Sequence, residues 1–292
     1  MKRETTRDQG AAIGFLLPAF LFFAIFIVYP FIDGLRLSFS TWDGFSAPSF
    51  AGLRNYEELF RPDGLFFKSL GNNSLFALYT VIGKNLLALF LAILLNGKIK
   101  GRGIYRTILF LPTCISFVAI GLIWNFIYNP SFGIINAFLS LFGKAQTISW
   151  LGDPSLALGS VAFVDIWKWT GYHVVLYLAG LQTISPELYE AAAIDGAKPW
   201  RTLYSITIPQ LSPVIIINAA ISLMGAYGVF DVVYVMTRGG PYNRTQMLLT
   251  NMYEVTFKQY QIGLGSAIVV MFFVIVMMIT VFQNWLSHKL EI

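Results

Sequence analysis

Several polar and ionisable side chains interrupt long apolar stretches of this 292-residue chain. Ionisable groups inside segments of membrane-spanning length usually face a protein interior or a water-filled cavity, because contact with lipid is costly. These residues are therefore candidates for a functional role. Some could instead pair structurally, as Lys84 could with an acid, or extend from a span end, as Lys168 could. The residues concerned are Lys84, Asp165, Lys168, His173, Asn218 and Asp231.

The apolar stretches at residues 156–180 and 210–236 also combine aromatic rings with hydrogen-bonding groups. Sugar binding uses this combination, since a ring covers the apolar face of the sugar while polar groups fix its orientation. Trp169 has the same chemistry, although tryptophan also anchors spans at the membrane interface, and each ring could do that instead. The residues predicted to line a substrate pathway are Trp167, Tyr172, Asn218, Ser222, Tyr227 and Asp231.

Catalytic and metal-binding motifs are absent from the sequence. The chain has one cysteine and two histidines, with no H-E-x-x-H motif, so it predicts no metal site, no disulfide and no nucleophilic triad. A nucleotide-binding G-x₄-G-K-S/T motif is missing too, because Gly83-Lys84 and Gly143-Lys144 lack the earlier glycine. We therefore predict no catalytic residue, no resident cofactor and no enzyme activity.

The composition requires a bilayer as solvent. With 56% hydrophobic and 12% charged residues, the chain holds too much apolar sequence for one soluble core. A spanning helix needs about 20 apolar residues. The sequence predicts an all-α membrane protein with about six spans, roughly 11–32, 72–95, 105–128, 156–180, 210–236 and 263–285. The net charge of +5 comes from basic clusters beside these segments, which favours membrane lipid over nucleic acid as their partner.

The distribution of lysine and arginine predicts the orientation. Basic residues are concentrated at the N-terminus, in the short segment Lys98 to Arg106 and in the loop at 181–209. Short loops rich in lysine and arginine stay in the cytoplasm. Both termini are therefore predicted to be cytoplasmic, with residues 33–70 and 237–262 outside. Within the first outer loop, Leu53 to Phe60 has the apolar spacing of a short interfacial helix and suits a docking surface.

The loop at 181–209 has the local signals of a helix-turn-helix. Ser185 can cap a helix, Pro186 suits its first turn, and Gly196 can end it in the left-handed conformation. Small side chains on this helix would let another protein approach closely. The residues that could contact such a partner are Glu190, Ala191, Ala192, Asp195 and Gly196. An ordinary interfacial helix, rich in alanine because alanine favours helix, is the alternative interpretation.

The spacing in this loop resembles the EAA loop of ABC-importer permeases, E-A-A-x₃-G-x₉-I-x-L-P. Here Glu190-Ala191-Ala192 is followed by Gly196 and then by Ile206-Thr207-Ile208-Pro209, so that only Ile208 departs from the pattern. In that family the loop is the coupling helix, which sits in a cleft of the cytoplasmic ATPase. The resemblance implies the same contact for Glu190, Ala191, Ala192 and Gly196.

Other segments resemble the carbohydrate-uptake branch of the same family. Phe50 to Tyr56 is similar to its F-x-G-L-x-N-Y segment, Phe230-Asp231 with Thr237 to Pro241 to its F-D…T-x-G-G-P stretch, and Asp165 to Thr170 is also typical. The likeness is strongest to first-type permeases of disaccharide, oligosaccharide or glycerol-phosphate importers. It implies a type I permease fold with an anchor helix and outer loop at 1–70, a permease domain at 71–285 and a cytoplasmic tail at 286–292.

The resemblance also implies an assembly in the cytoplasmic membrane. Its members would be a second permease subunit, two ATPase subunits that bind ATP and magnesium, and an extracytoplasmic sugar-binding protein. The predicted function is ATP-driven sugar translocation. A self-contained proton-coupled transporter is the alternative, although no inverted repeat is visible. A membrane-embedded enzyme is a third possibility, opposed by the missing catalytic residues. The sequence does not specify the sugar.

Overall fold

The computed structural model describes residues 15–97, 99–143 and 147–290, and helices dominate these segments. The first four predicted span residues, 11–14, lie outside this part of the chain, as do the N-terminal basic cluster, Lys98, Lys144 and the last two residues. The helices are α1 Phe15–Ser38, α2 Arg54–Leu59, α3 Leu65–Asn96, α4 Arg102–Phe110, α5 Phe117–Ile127, α6 Ile134–Ser140, α7 Ala157–Thr183, α8 Pro186–Ile194, α9 Pro199–Gln210, α10 Ser212–Tyr227, α11 Asp231–Met236, α12 Leu248–Tyr253 and α13 Ile262–Leu290. The all-α prediction is confirmed.

Three of the described helices, α1, α3 and α13, are long and apolar enough to cross a membrane. The described residues form up to five such spans if each of two bent pairs is one span, namely α4 with α5, bent by 101°, and α9 with α10, bent by 68°. The remaining predicted span, 156–180, corresponds to α7. This helix has 27 residues and is about 40 Å long, which is enough to span the bilayer, but it is rich in polar groups.

Two predicted spans are broken where a continuous helix was expected. The span at 105–128 bends after a 3₁₀ turn, Leu111–Cys114, and restarts at Ser116, whose hydroxyl accepts from the backbone N–H of Ala119 at 3.3 Å. Pro112 in that turn lacks an N–H donor, so an α-helix does not continue through it. The span at 210–236 ends at Tyr227, and the new helix α11 begins at Asp231.

A buried side chain on α3 satisfies the backbone at the second break. Asn73 donates to the carbonyl of Ala226 at 3.1 Å and accepts from the N–H of Leu248 at 2.9 Å. A helix end leaves carbonyls without intrahelical partners, and inside a membrane such groups must bond within the protein. The hydrogen bonds of Asn73 therefore explain how α10 can end and α11 can begin within a membrane-spanning segment.

The chain divides into two compact units, the first of which comprises residues up to Gly64 together with Met252–Val274. A short antiparallel hairpin, Ser40–Thr41 with Ser49–Phe50, lies in it beside α2. Asn55 on α2 donates to the carbonyls of Ser38 and Ser40 at 2.8 and 2.9 Å. Gly263 lies so close to Ser40 that a β-carbon there would meet the Ser40 carbonyl, so glycine is required. The helix predicted at Leu53 to Phe60 is confirmed as α2.

The second unit comprises Leu65–Asn251 and the residues from Ile275 onwards. Its centre is the contact between α3 and α7, where Ala88 and Ala92 are fully buried against Tyr177 and Leu178. The small alanine side chains let the two helix backbones approach closely, as in other membrane helix pairs. This close contact brings the polar residues of the two helices together.

Candidate functional site

An ion pair joins the two central helices of the second unit. Lys84 Nζ on α3 lies 2.5 Å from Asp165 Oδ2 on α7, and the two side chains are only 3% and 5% exposed. A buried charge without a partner is strongly destabilising, so each of these residues makes the other tolerable. Structural pairing of Lys84 with an acid, one of the two alternatives in the sequence, is therefore the observed arrangement.

A chain of hydrogen bonds extends from the same region across three helices. His173 Nδ1 donates to Asn218 Oδ1 at 2.7 Å, which leaves Nε2 to accept from the hydroxyl of Ser222 at 3.3 Å. Asn85 donates to that hydroxyl at 3.1 Å and accepts from Tyr177 Oη at 2.7 Å. Every donor in this chain has an acceptor when the imidazole is neutral. Buried networks that are fully satisfied in this way hold a unique arrangement of helices.

Lys168 on α7 is also buried, with 3% exposure, so it does not extend to the membrane surface. Its ammonium donates to the carbonyls of Pro112, Thr113 and Ile115, at 3.2, 3.1 and 2.5 Å. An ammonium has three donors, and all three are used at the bend between α4 and α5. The cation also lies 4.7 Å from the ring centroid of Phe117. Lys168 therefore stabilises the bend and has no donor left for a ligand.

A cavity of about 200 Å³ lies beside the ion pair, and we call it the midspan cavity. It is bounded by α3, α5, α7, α10 and the break before α11. Its lining combines three aromatic rings with charged and hydroxyl groups. The aromatic, charged and polar side chains that line it are Lys84, Phe117, Asp165, Trp169, His173, Ser222, Phe230 and Asp231. The cavity has the polar and aromatic character of a site for a polyhydroxylated ligand.

Two of the residues predicted for the substrate pathway, Ser222 and Asp231, line the midspan cavity. Asp231 is exposed and begins α11, and among the described residues it has no ion-pair partner. Asn218 is fully buried behind the cavity and holds His173. It therefore supports the lining rather than forming it.

The three other predicted pathway residues do not line the cavity. Trp167 packs edge-on against Trp124, with ring centroids 5.5 Å apart, and Tyr172 packs edge-on against Trp169 at 5.8 Å. The hydroxyl of Tyr227 lies 3.0 Å from that of Ser74 on α3. The Trp167 ring thus contacts α5 and the Tyr227 hydroxyl contacts α3, whereas the Tyr172 ring packs along its own helix, α7.

Phe117 and Phe230 line the cavity, although the sequence had not predicted either of them as a pathway residue. Phe117 belongs to α5, which reaches the cavity only because the chain bends by 101° before it. Phe230 lies in the break between α10 and α11 and stacks on Tyr234 at 5.2 Å. The F-D dipeptide of the family pattern marks Phe230, whereas no local signal marks Phe117.

The EAA loop, residues 181–209, forms a capped helix as its sequence predicts. The hydroxyl of Ser185 accepts from the N–H of Glu187 at 3.3 Å, and Pro186 is the first residue of α8. At the other end Gly196 has φ of +70°, and the N–H of Ala197 donates to the carbonyl of Ala192 at 2.9 Å. A left-handed glycine with such a bond ends the helix and satisfies a carbonyl of its last turn.

The outer face of α8 carries most of the predicted contact residues. Glu190, Ala191, Asp195 and Gly196 are exposed, whereas Ala192 is 9% exposed and packs on the chain itself. The loop is held to the following helix by Tyr189, whose hydroxyl lies 3.2 Å from that of Thr207. Of the two alanines in the E-A-A pattern, Ala191 can therefore meet another protein, whereas Ala192 is buried.

Large apolar side chains surround this face. Ile194 is 87% exposed, Trp200 70% and Tyr204 64%, and the last two rings stack with centroids 6.0 Å apart. Exposed apolar clusters beside charged groups are typical of protein contact surfaces. The loop thus has the composition of a protein contact surface.

Residues 84–292 match the family described as the binding-protein-dependent transport system inner membrane component. The chain belongs to this family. The permease is 38% identical to the probable ABC transporter permease protein YurN of Bacillus subtilis, over 92% of its own length and 93% of that protein. It is 35% identical to the trehalose/maltose transport system permease protein MalF of Thermococcus litoralis, over 94% of its length and 92% of that protein.

Solved structures agree with this assignment. The permease superposes on a chain of a bacterial ABC transporter involved in import of the acidic polysaccharide alginate with a TM-score of 0.85 and 25% identity, covering 98% of both chains. A chain of the MetNI methionine ABC transporter matches at a TM-score of 0.55 and 18% identity, covering 77% of the permease and 96% of that chain. The type I permease fold is confirmed. Relatives of this kind are permease subunits, so the prediction that the chain is not an enzyme is confirmed as well.

Proposed function

We propose that the permease is one of two membrane subunits of an ATP-driven saccharide importer. In this proposal the midspan cavity forms part of the passage, and the EAA loop contacts an ATPase subunit. Two such ATPases bind ATP and magnesium, and an extracytoplasmic binding protein delivers the sugar. Closure of the ATPases on nucleotide would move α8 and, through it, the helices that line the cavity.

The observation that carries this proposal is the geometry of the EAA loop. Helix α8 is capped at both ends and tied to α9, so a force applied to its exposed face is transmitted to α10 rather than lost in a flexible loop. The exposed Glu190 and Asp195 offer charged acceptors to a partner. A rigid, exposed helix that can transmit the movement of a partner protein suits a permease that relies on a separate ATPase.

The saccharide assignment rests on the midspan cavity and on the named relatives. Trp169, Phe117 and Phe230 offer ring faces, while Ser222 and Asp231 offer groups that bond hydroxyls. One relative, of Thermococcus litoralis, is named for trehalose and maltose, and one, MsmF of Streptococcus mutans, is a multiple sugar-binding transport system permease protein. One solved neighbour is an alginate transporter in complex with a pentasaccharide-bound periplasmic protein.

A self-contained proton-coupled transporter is not favoured. Of the intramembrane charges that could couple transport to protons, such as Lys84 and Asp231, that of Lys84 is held by Asp165 at 2.5 Å. Membership of a binding-protein-dependent family points the same way.

Reconstitution tests the proposal directly. The proteoliposomes should contain the permease, a second permease subunit, the ATPase and the binding protein. We expect them to accumulate a labelled oligosaccharide only when ATP is present on the side of the membrane where the ATPase lies. Omission of any one subunit should reduce uptake to background, and a protonophore should leave it unchanged. Uptake by the permease alone that collapses with the protonophore would establish the proton-coupled alternative instead.

We further propose that both termini and the EAA loop face the cytoplasm, and residues 33–70 the outside. Phe45, 82% exposed, and Ile194, 87% exposed, are suitable positions for single cysteines in a chain whose Cys114 has been replaced. An impermeant thiol reagent should label Phe45→Cys in intact cells and Ile194→Cys only after permeabilisation. Labelling of both after permeabilisation is the control. The reverse pattern in intact cells would contradict the orientation.

A further inference from the structure

A histidine beside the midspan cavity has its ring hydrogen fixed by a buried amide. His173 on α7 is 2% exposed, and its Nδ1 lies 2.7 Å from Oδ1 of Asn218 on α10. The amide nitrogen of Asn218 is already committed, because it donates to the carbonyl of Val214 at 3.0 Å. The amide oxygen therefore faces the ring, and Nδ1 must carry the hydrogen. In the neutral imidazole, Nε2 is then a bare acceptor.

A second buried amide has an equally fixed orientation. The amide nitrogen of Asn85 on α3 donates to the carbonyl of Val81 at 2.7 Å and to Oγ of Ser222 at 3.1 Å. The amide oxygen of Asn85 accepts from the hydroxyl of Tyr177 at 2.7 Å. Both ends of this amide have partners that suit them, so toward Ser222 it acts only as a donor.

The hydroxyl of Ser222 lies between these two groups. Its Oγ is 3.3 Å from Nε2 of His173, and because Nε2 has no hydrogen, the serine must donate to it. One lone pair of the oxygen accepts from Asn85, and one lone pair remains. Ser222 also lines the midspan cavity. Its hydroxyl can therefore accept a hydrogen bond from a ligand but has no hydrogen left to donate.

We propose that His173 is a positioning residue that makes the Ser222 hydroxyl an acceptor-only group, so that the permease requires a ligand hydroxyl at this point of the cavity. This inference rests on the proposed saccharide transport and adds a selection rule to its site. A serine whose hydrogen is free can donate to an ether oxygen as readily as it accepts from a hydroxyl. With its hydrogen held by His173, the serine meets an ether oxygen or a fluorine lone pair to lone pair. A polar group that an analogue leaves unpaired discriminates against that analogue.

Maltose and its analogues in which one hydroxyl at a time is replaced by fluorine test this inference. Fluorine is close to a hydroxyl in size but cannot donate. Equilibrium dialysis should use the complete permease–ATPase complex in nanodiscs without binding protein, because the binding protein has its own selectivity. We expect fluorine at the position that contacts Ser222 to weaken binding to the wild type roughly three-fold to ten-fold, the effect of one neutral hydrogen bond. Ser222→Ala identifies that position, because the penalty should disappear there alone.

The double variant His173→Phe/Asn218→Leu tests the role of the histidine. It removes both partners of the ring's hydrogen bond, so neither is left unpaired, and it leaves the hydrogen of Ser222 free to turn toward the cavity. The fluorine penalty at the Ser222 position should then disappear, while the penalties at other positions stay. Tyr177→Phe is the matched control, since it breaks another bond of the same network without changing the donors and acceptors around Ser222. It should keep the penalty. A merely structural role of His173 would weaken binding of every analogue in equal proportion.

The tautomer of His173 provides a second measurement that needs no ligand. Nitrogen NMR of the complex with isotope-labelled histidine, from which the spectrum of His173→Gln is subtracted, isolates the signals of this ring. We expect the hydrogen on Nδ1, whereas a free neutral imidazole prefers it on Nε2. This measurement also decides the matter if the double variant does not assemble.

Two results would overturn the inference and leave saccharide transport standing. One is a His173 ring with its hydrogen on Nε2, and the other is an unchanged fluorine penalty in His173→Phe/Asn218→Leu. Failure of maltose and of other saccharides in both dialysis and ATP-dependent uptake would instead count against the proposed function. The tautomer would still show in that case whether His173 holds the hydrogen of Ser222.

Discussion

Lys84→Met should lower the free energy of unfolding of the permease by about 3–5 kcal/mol, because it leaves the buried Asp165 carboxylate without its cation. The pair lies 2.5 Å apart with both side chains at most 5% exposed, so water cannot replace the lost partner. Asp165→Leu alone should lower the free energy of unfolding by a similar amount, because it leaves the buried Lys84 ammonium without its anion. Thermal unfolding in mild detergent, followed by size-exclusion chromatography, measures the loss.

The double variant Lys84→Met/Asp165→Leu should be more stable than either single variant, since it leaves no unpaired charge in the helix contact. Such recovery separates the cost of an unpaired charge from a packing defect. Arg36→Met is the matched control, because Arg36 is paired with Asp33 at 2.9 Å but its side chain is 68% exposed. Exposed pairs contribute about 0–1 kcal/mol. A loss in Lys84→Met no larger than that in Arg36→Met would show that the buried pair does not hold α3 to α7.

Glu190→Ala/Gly196→Val should abolish transport while leaving the membrane-spanning helices intact. Gly196 has φ of +70°, and a β-carbon there would meet no atom within 4 Å, so the cost of valine lies in the backbone conformation alone. That conformation costs a residue with a β-carbon roughly 1–2 kcal/mol. The helix end would change direction and α8 would point away from its partner. Loss of a charged hydrogen bond from Glu190 would add about 1.5–3 kcal/mol, or roughly ten-fold to a hundred-fold in association.

Copurification with the ATPase and uptake in proteoliposomes are the measurements for this double variant. Gly143→Val is a matched control, because Gly143 has φ of +77° with equally open surroundings but lies outside the EAA loop. It should suffer the same backbone strain and still bind the ATPase. Gly196→Asn, which tolerates the left-handed conformation, should retain most activity. Wild-type copurification and import by Glu190→Ala/Gly196→Val would refute the coupling role of α8.

The sequence predicted those structural features that are set by residues close together in the chain, such as the ends of helices. Ser185, Pro186 and Gly196 act on the backbone within one turn of themselves, and the structure has the helix end points that they predict. The presence of α3 and α13 follows equally from apolar composition, because a helix in lipid must bond its own backbone over the full hydrocarbon thickness. The start of α3 does not follow, since the helix begins at Leu65 rather than at the predicted residue 72. The same signals could not distinguish a partner-binding helix from an ordinary interfacial helix in the EAA loop. A capping residue determines where a helix ends and not what contacts its surface.

The tertiary structure alone decided which polar groups meet. Lys84 and Asp165 lie on different helices, and nothing near either residue in the sequence identifies its partner. The same holds for Asn73, which allows the break before Asp231 because it reaches the carbonyl of Ala226 on another helix. Rotation of each helix then determined that Ser222 and Asp231 face the cavity, whereas Trp167 packs against α5 and Tyr172 packs along α7. Residue type and spacing determine which side chains a helix carries on each face. The packing of neighbouring helices determines which of those faces lines the cavity.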